Sequence, residues 1–106
     1  MDIMGMMKKA QAMQAKLQEA QEELGRLEVE GSSGGGLVRM TMSAKAELRA
    51  VHIDPSLLTP SDKEMLEDLI MAAYSDAKTK ADRAATEKMQ SLTAGLSLPP
   101  DLKLPF

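Results

Sequence analysis

Near the start of the chain, apolar side chains return in alternating steps of three and four: Ile3, Met6, Ala10, Met13, Leu17, Ala20, Leu24 and Leu27. This heptad spacing predicts one long helix over about residues 2–25, with a single narrow stripe turned towards a partner. The residues between are mostly Gln, Lys and Glu, so the rest of the cylinder wants water. A helix with so thin a seam is marginal alone and needs something to pack on. Ile3, Met6, Ala10, Met13, Leu17, Ala20 and Leu24 are therefore candidates for a helix–helix or dimer seam.

What that partner can be is limited by size and composition. A chain of 106 residues without internal repeats is one small domain, burying roughly 65% of its unfolded surface. That leaves no room for a deep catalytic cavity. Tyr74 and Phe106 are the only aromatics, whereas methionine occurs ten times. Pliable methionines suit adaptable interfaces better than rigid pockets, which favours an oligomer or a binding module. The absence of cysteine excludes disulfides, iron–sulfur clusters and thiolate zinc sites, and fits a reducing compartment. Lys8, Lys9 and Gln11 interrupt what would be the apolar run of a signal peptide. No stretch approaches the ~20 apolar residues of a membrane span, so a cytoplasmic protein is expected.

A net charge of −3 argues against a simple basic nucleic-acid binder. Its distribution says more. Residues 1–18 carry Lys8, Lys9 and Lys16 against Asp2, a charge of +2; residues 19–70 carry −6 and residues 71–106 carry +1. In the first helix the lysines precede Glu19, Glu22 and Glu23, against the preference of the helix dipole. Such violations cost a few tenths of a kcal/mol and tend to mark function. Lys9 and Lys16, seven apart, share a face beside the seam. Two readings stand for these lysines: a solvated face that keeps the helix soluble, or a phosphate-contacting tip.

Gly25 is expected to break the helix before a first strand, Arg26 to Glu30, in which Leu27 and Val29 alternate with charges. The run Gly31-Ser32-Ser33-Gly34-Gly35-Gly36 lacks the Lys-Ser/Thr and following helix of a phosphate cradle, and reads as a flexible hairpin connection. Leu37 to Met42 follows as a second strand, with Val38, Met40 and Met42 on one face. Ser43 to Ala46 turns the chain into a third strand, Glu47 to Ile53, closed by Asp54-Pro55. His52 has no histidine or cysteine companion, so no metal site is expected.

Thr59 as N-cap, Pro60 at the first helical position and early acids open a second long helix, about residues 60–94. Met65, Leu66, Leu69 and Ile70 give its first half bulk, whereas Ala73, Ala77, Ala81, Ala84 and Ala85 form a stripe suited to close approach by another helix. Gly95 is a natural stop. The tail, 96–106, contains Pro99, Pro100 and Pro105 and should be extended, with Leu98, Leu102, Leu104 and Phe106 available for docking on the body or on a partner.

The order helix, three-stranded antiparallel meander, helix, extended tail is an α+β layout. So small a sheet leaves about 15–20 Å of each helix uncovered, and a symmetric dimer is the simplest remedy.

Taken together, Gly34-Gly35-Gly36-Leu37-Val38-Arg39-Met40-Thr41, Val51-His52-Ile53-Asp54-Pro55-Ser56-Leu57-Leu58, Asp62 to Ile70, Asp76-Ala77, and Leu98-Pro99-Pro100 through Pro105-Phe106 resemble the YbaB/EbfC family of nucleoid-associated proteins. The resemblance spans nearly the whole chain. One departure is Ser43-Ala44-Lys45-Ala46, where the family usually has an Asn-Gly type turn. The resemblance implies a tweezer-like homodimer that binds double-stranded DNA in the nucleoid, influences gene expression or chromosome organisation, and has protein partners in replication or recombination.

For such a function the candidate DNA-binding residues are Lys8, Lys9 and Lys16 on the first helix, with Lys78, Lys80, Arg83 and Lys88 on the second. Contact is expected mainly with the backbone, since phosphates supply most non-specific affinity. Single strands are disfavoured for want of aromatic stacking platforms. The alternative is a structural or adaptor dimer that holds another protein through its Met-rich helices and apolar tail. An enzyme is not expected: there is one isolated histidine, no cysteine, and Glu22-Glu23 and Glu67-Asp68 diverge around their helices. No cofactor is called for.

Overall fold

In the computed structural model, which describes residues 2–95, an alanine-faced helix lies directly on a strand that carries glycine at the crossing. The elements run α1 (Ile3–Arg26), β1 (Glu28–Ser33), β2 (Val38–Ser43), β3 (Leu48–Ile53) and α2 (Lys63–Gly95), with short 3-10 turns at Pro55–Leu57 and Pro60–Asp62. The sheet is antiparallel in the order β1-β2-β3. The tail expected over 96–106 lies outside the described residues.

The layering follows from side-chain size. Ala73, Ala77 and Ala81, one turn apart on α2, are fully buried, and Gly31 of β1 meets the first two. A Cβ added to Gly31 would stand 2.3 Å from the Ala77 nitrogen and 2.6 Å from the Ala73 oxygen. The alanine stripe thus serves first to bring α2 onto the sheet. Only Ala84 and Ala85, farther along, pack beside the other helix. Val38, Met40 and Met42 of β2 complete the core beneath α2, with Leu57 and the partly buried Val29, Ile53, Leu66, Leu69 and Ile70. Each fully buried Val, Leu or Met contributes about 1.5–3 kcal/mol.

An edge strand offers unpaired backbone groups that must be covered or left to water. On β1 the covering comes from α2. The Ser32 N–H donates to Asp76 Oδ2 at 3.0 Å, Lys80 Nζ donates to the Glu30 carbonyl at 3.0 Å, and Ser33 Oγ donates to the Leu69 carbonyl at 2.6 Å. The Ser32 bond and the Lys80 ammonium hold the Asp76 carboxyl below its usual range. β3, at the opposite edge, leaves Leu48 and Val51 about half exposed.

Element ends differ from expectation in three places. Gly25 does not break α1, which continues to Arg26: the Leu27 N–H closes it onto the Glu23 carbonyl at 2.9 Å, and Arg49 Nη2 donates to the Gly25 carbonyl at 2.9 Å. β1 consequently begins at Glu28, and it runs on to Ser33 because Gly31 is buried within it. The glycine connection shrinks to a tight turn with positive φ at Gly34, Gly35 and Gly36, closed by Gly36 N–H to Ser33 O at 3.1 Å. Thr59 does not cap α2. Its hydroxyl donates to Asp62 Oδ2 at 2.8 Å, and Pro60–Asp62 forms a 3-10 turn before α2 begins at Lys63.

The β2–β3 turn carries a local misfit. Ala46 adopts φ 66° and closes the turn through its N–H to the Ser43 carbonyl at 2.9 Å. A left-handed alanine costs about 1–2 kcal/mol. Ala46→Gly removes that penalty but gives up some methyl packing and gains unfolded-state entropy. The expected result is a net stabilisation of about 0.5–1 kcal/mol, read as a rise in thermal midpoint of about 4 °C.

Candidate nucleic-acid interface

Two long helices give the molecule its shape. α2 spans about 50 Å at 1.5 Å per residue, yet the longest extent is 72 Å. The rest comes from α1, which leaves the sheet beside the far part of α2 and projects past it. Near the sheet the pair is closed. Ala20 and Leu24 are buried with Ala44 and Met89, and Leu17, Ala84, Ala85 and Leu92 pack around them. The Ala44 N–H is shared between the Leu24 and Leu27 carbonyls at 3.1 and 2.9 Å, so the β2–β3 turn also caps α1. Farther out, Met13 is partly buried and Ala10, Met6 and Ile3 are exposed. The structure therefore divides the candidate seam: its second half is used within the chain and its first half is open.

At the free end Asp2 accepts the Gly5 N–H at 3.0 Å as an N-cap, which fixes the first turn and puts an acid where the dipole wants one. Lys8 falls opposite the seam, and Lys9 and Lys16 beside it, at 100° per residue.

The seven candidate cations separate by what they already hold. Lys78 pairs with Asp82 at 2.7 and 2.8 Å. Lys80 reaches Asp76 at 3.1 Å besides the Glu30 carbonyl. Lys88 pairs with Glu23 across the two helices. Among the described residues, Lys8, Lys9, Lys16 and Arg83 have no hydrogen bond or ion pair to side chain or sheet, and all four are exposed. An ammonium without an internal partner can neutralise a phosphate without first breaking a bond. The arm of α1 therefore holds three of the four uncommitted cations. The spacings of Asp76–Lys80 and Lys78–Asp82 were visible signals for the pairs that withdraw Lys78 and Lys80; no local pattern marks Glu23 as the partner of Lys88.

The Glu23–Lys88 pair ties the arm to α2 and has a pH signature. The hydrogen bond and charge of Lys88 hold the Glu23 carboxyl below its ordinary value of 4.5. A depressed acid stabilises the folded state above its unfolded value, and loses that contribution as pH falls through the folded one. The contact should therefore loosen below about pH 4.5, and Glu23→Gln should lower stability slightly at pH 7, where the contribution is complete, and change little at pH 3, where it is already lost. Denaturant midpoints measured from pH 3 to pH 7 check this. The effect is small because both side chains are partly solvated.

No group of three or more His, Asp or Glu arranged to hold a metal occurs among the described residues. No described helix is long and apolar enough to cross a membrane.

Comparison with known proteins places these features in company. The sequence pattern of the YbaB/EbfC DNA-binding family matches residues 1–96. A nucleoid-associated protein of Methylocella silvestris is 58% identical over 105 residues, covering 99% of this chain and 98% of the relative. One from Agrobacterium fabrum is 54% identical with the same coverage. In fold, the chain is similar to the crystal structure of an uncharacterized protein from Helicobacter pylori, with a TM-score of 0.70 and 26% identity, covering 92% of this chain and 99% of that one.

Proposed function

Since the chain belongs to the YbaB/EbfC DNA-binding family, we propose that it binds double-stranded DNA as a homodimer in the nucleoid, chiefly through phosphate contacts from the α1 arms, and so influences chromosome organisation or gene expression. The observation that carries this reading is the projecting arm with its uncommitted Lys8, Lys9 and Lys16. The acidic middle of the chain keeps affinity modest, and two arms offer twice the cations of one. Dimerisation is supported by apolar surface that one chain leaves open: Ile3 and Met6 on the arm, Leu48 and Val51 on β3, and Met65 and Met71 on α2. If the four uncommitted cations among the seven candidates all contact phosphate, a dimer has a log–log salt slope of about −7, at about 0.9 per phosphate contact. Measuring mass in solution together with duplex affinity against salt tests the reading. A dimer whose affinity falls steeply with salt is expected. A strictly monomeric chain, or salt-independent binding, would overturn it.

A protein-binding adaptor is the second reading, favoured by Met4, Met6 and Met7, each more than half exposed on the arm. It predicts capture of one protein from nuclease-treated extract, with no duplex binding in vitro.

A further inference from the structure

Where α1 meets the sheet, the fold gathers a basic corner out of the most acidic stretch of the sequence. Three cations from three elements converge on Gly25. Arg26 follows it at the end of α1. Arg49 of β3 donates from Nη2 to its carbonyl at 2.9 Å. Lys45, in the β2–β3 turn, lays its stem alongside: a Cβ added to Gly25 would stand 3.4 Å from Lys45 Cδ. The turn itself is fixed. Ser43 Oγ accepts the Lys45 and Glu47 N–H groups at 3.2 and 3.3 Å, and the Ala44 N–H bonds the end of α1.

Cations at a helix C-terminus often serve only to satisfy its last carbonyls. Here that need is met without two of the three. The Glu23 carbonyl accepts the Leu27 N–H, the Leu24 carbonyl accepts the Ala44 N–H, and the Gly25 carbonyl accepts Arg49. Arg26 and Lys45, neither of them among the seven candidates, are exposed and have no hydrogen bond or ion pair among the described residues. Glu47 is engaged by Arg49 at 3.6 Å and Glu23 by Lys88. Glu22 and Glu28 are near Arg26 in sequence but pair with neither free cation.

Arg26 comes eighteen residues after Lys8, five full turns, so the two fall on one line of α1 about 27 Å apart. Glu19 and Glu22 lie between them on that side, which leaves a polyanion two separate footholds rather than a continuous rail. We propose that Arg26 and Lys45, with Arg49 beside them, form a second phosphate-contacting site at the root of the arm, anchoring a duplex that Lys8 meets at the tip. This rests on the duplex-binding reading above and adds where the duplex lies: lengthwise along the arm, over about eight base-pair steps of 3.4 Å.

Duplex titrations of full-length protein at several salt concentrations test the site. Arg26→Glu with Lys45→Glu should weaken binding at least tenfold at low salt. It should also reduce the log–log salt slope of a dimer by about 3–4, from two contacts per chain at about 0.9 each. Melting should stay near wild type, because neither side chain has an internal partner to lose. Lys63→Glu is the control for net charge. Lys63 is exposed, equally unpaired, and opens α2 at the far end of the sheet, near the Gly34 turn that meets Leu69, whereas Ala44 packs with Met89. Lys45→Glu should cost severalfold more affinity than Lys63→Glu. Equal losses would assign the effect to net charge and overturn the root site, as would an unchanged slope in the Arg26–Lys45 variant. Either result leaves duplex binding itself standing. Wild-type protein without salt-dependent duplex binding would instead sink that reading, and the root site with it.

Discussion

Gly31→Ala should be the most damaging single-methyl change in this chain, lowering stability by about 3 kcal/mol or more and the thermal midpoint by about 15 °C. The added carbon would overlap the Ala77 nitrogen, the Ala77 Cα and the Ala73 oxygen, all backbone atoms of α2. A flexible side chain could rotate away; a helix backbone cannot. Relief requires α2 to lift from β1, and lifting stretches the bonds from Ser32 to Asp76, Lys80 to Glu30 and Ser33 to Leu69 together. It also opens the layer that buries Val38, Met40 and Met42. Gly35→Ala is the control: nothing lies within 4 Å of its added Cβ, but its φ of +69° strains any side chain. It should cost only about 1–2 kcal/mol. Thermal melts followed by circular dichroism separate the two, and a loss at Gly31 no larger than that at Gly35 would show that α2 accommodates the added methyl without lifting from β1.

The second large effect concerns charge. Reversing Lys8, Lys9 and Lys16 together to Glu should lower duplex affinity at least 100-fold at low salt and flatten the salt dependence, while leaving the melting temperature nearly unchanged. These side chains hold no partner among the described residues, so their replacement breaks no internal bond. In a dimer the reversal removes six cations and adds six repulsive charges. Reversing Lys78, Lys80 and Lys88 should behave differently, since each is already paired, and Lys80 secures the edge of β1. That variant should lose stability before it loses affinity. Gel-shift titrations at two salt concentrations, paired with melts, distinguish the two sets. Unchanged affinity in the first variant would remove the arm from the interface.

How far the sequence could be read depended on how local the relevant physics is. The heptad spacing of α1 and the alternation in β2 record which faces are apolar, and both elements formed with those faces inward where a partner exists. Spacing does not say which partner. Leu17, Ala20 and Leu24 meet α2 of the same chain while Ile3 and Met6 meet nothing described, although all five occupy equivalent heptad positions. The alanine stripe announced close approach, but only Gly31, more than forty residues earlier, settles that the approaching surface is a strand. Gly25 looked like a stop because glycine is a poor helix former. Its carbonyl is held by Arg49, from a strand still to come. In the interface, the lysines were found by type and the committed ones identified only once Glu23, Glu30 and the helix turns were in place.

The two margins of the sheet are finished differently. Side chains of α2 occupy the outer bonding groups of β1, while among the described residues no helix covers those of β3. Linear growth, strand after strand, needs a vacant margin on both sides of every unit. This chain has one to give. If two sheets join through it, the pairing uses up the vacancy on both and stops at a closed pair, so the lysine that seals β1 also guards against fibres.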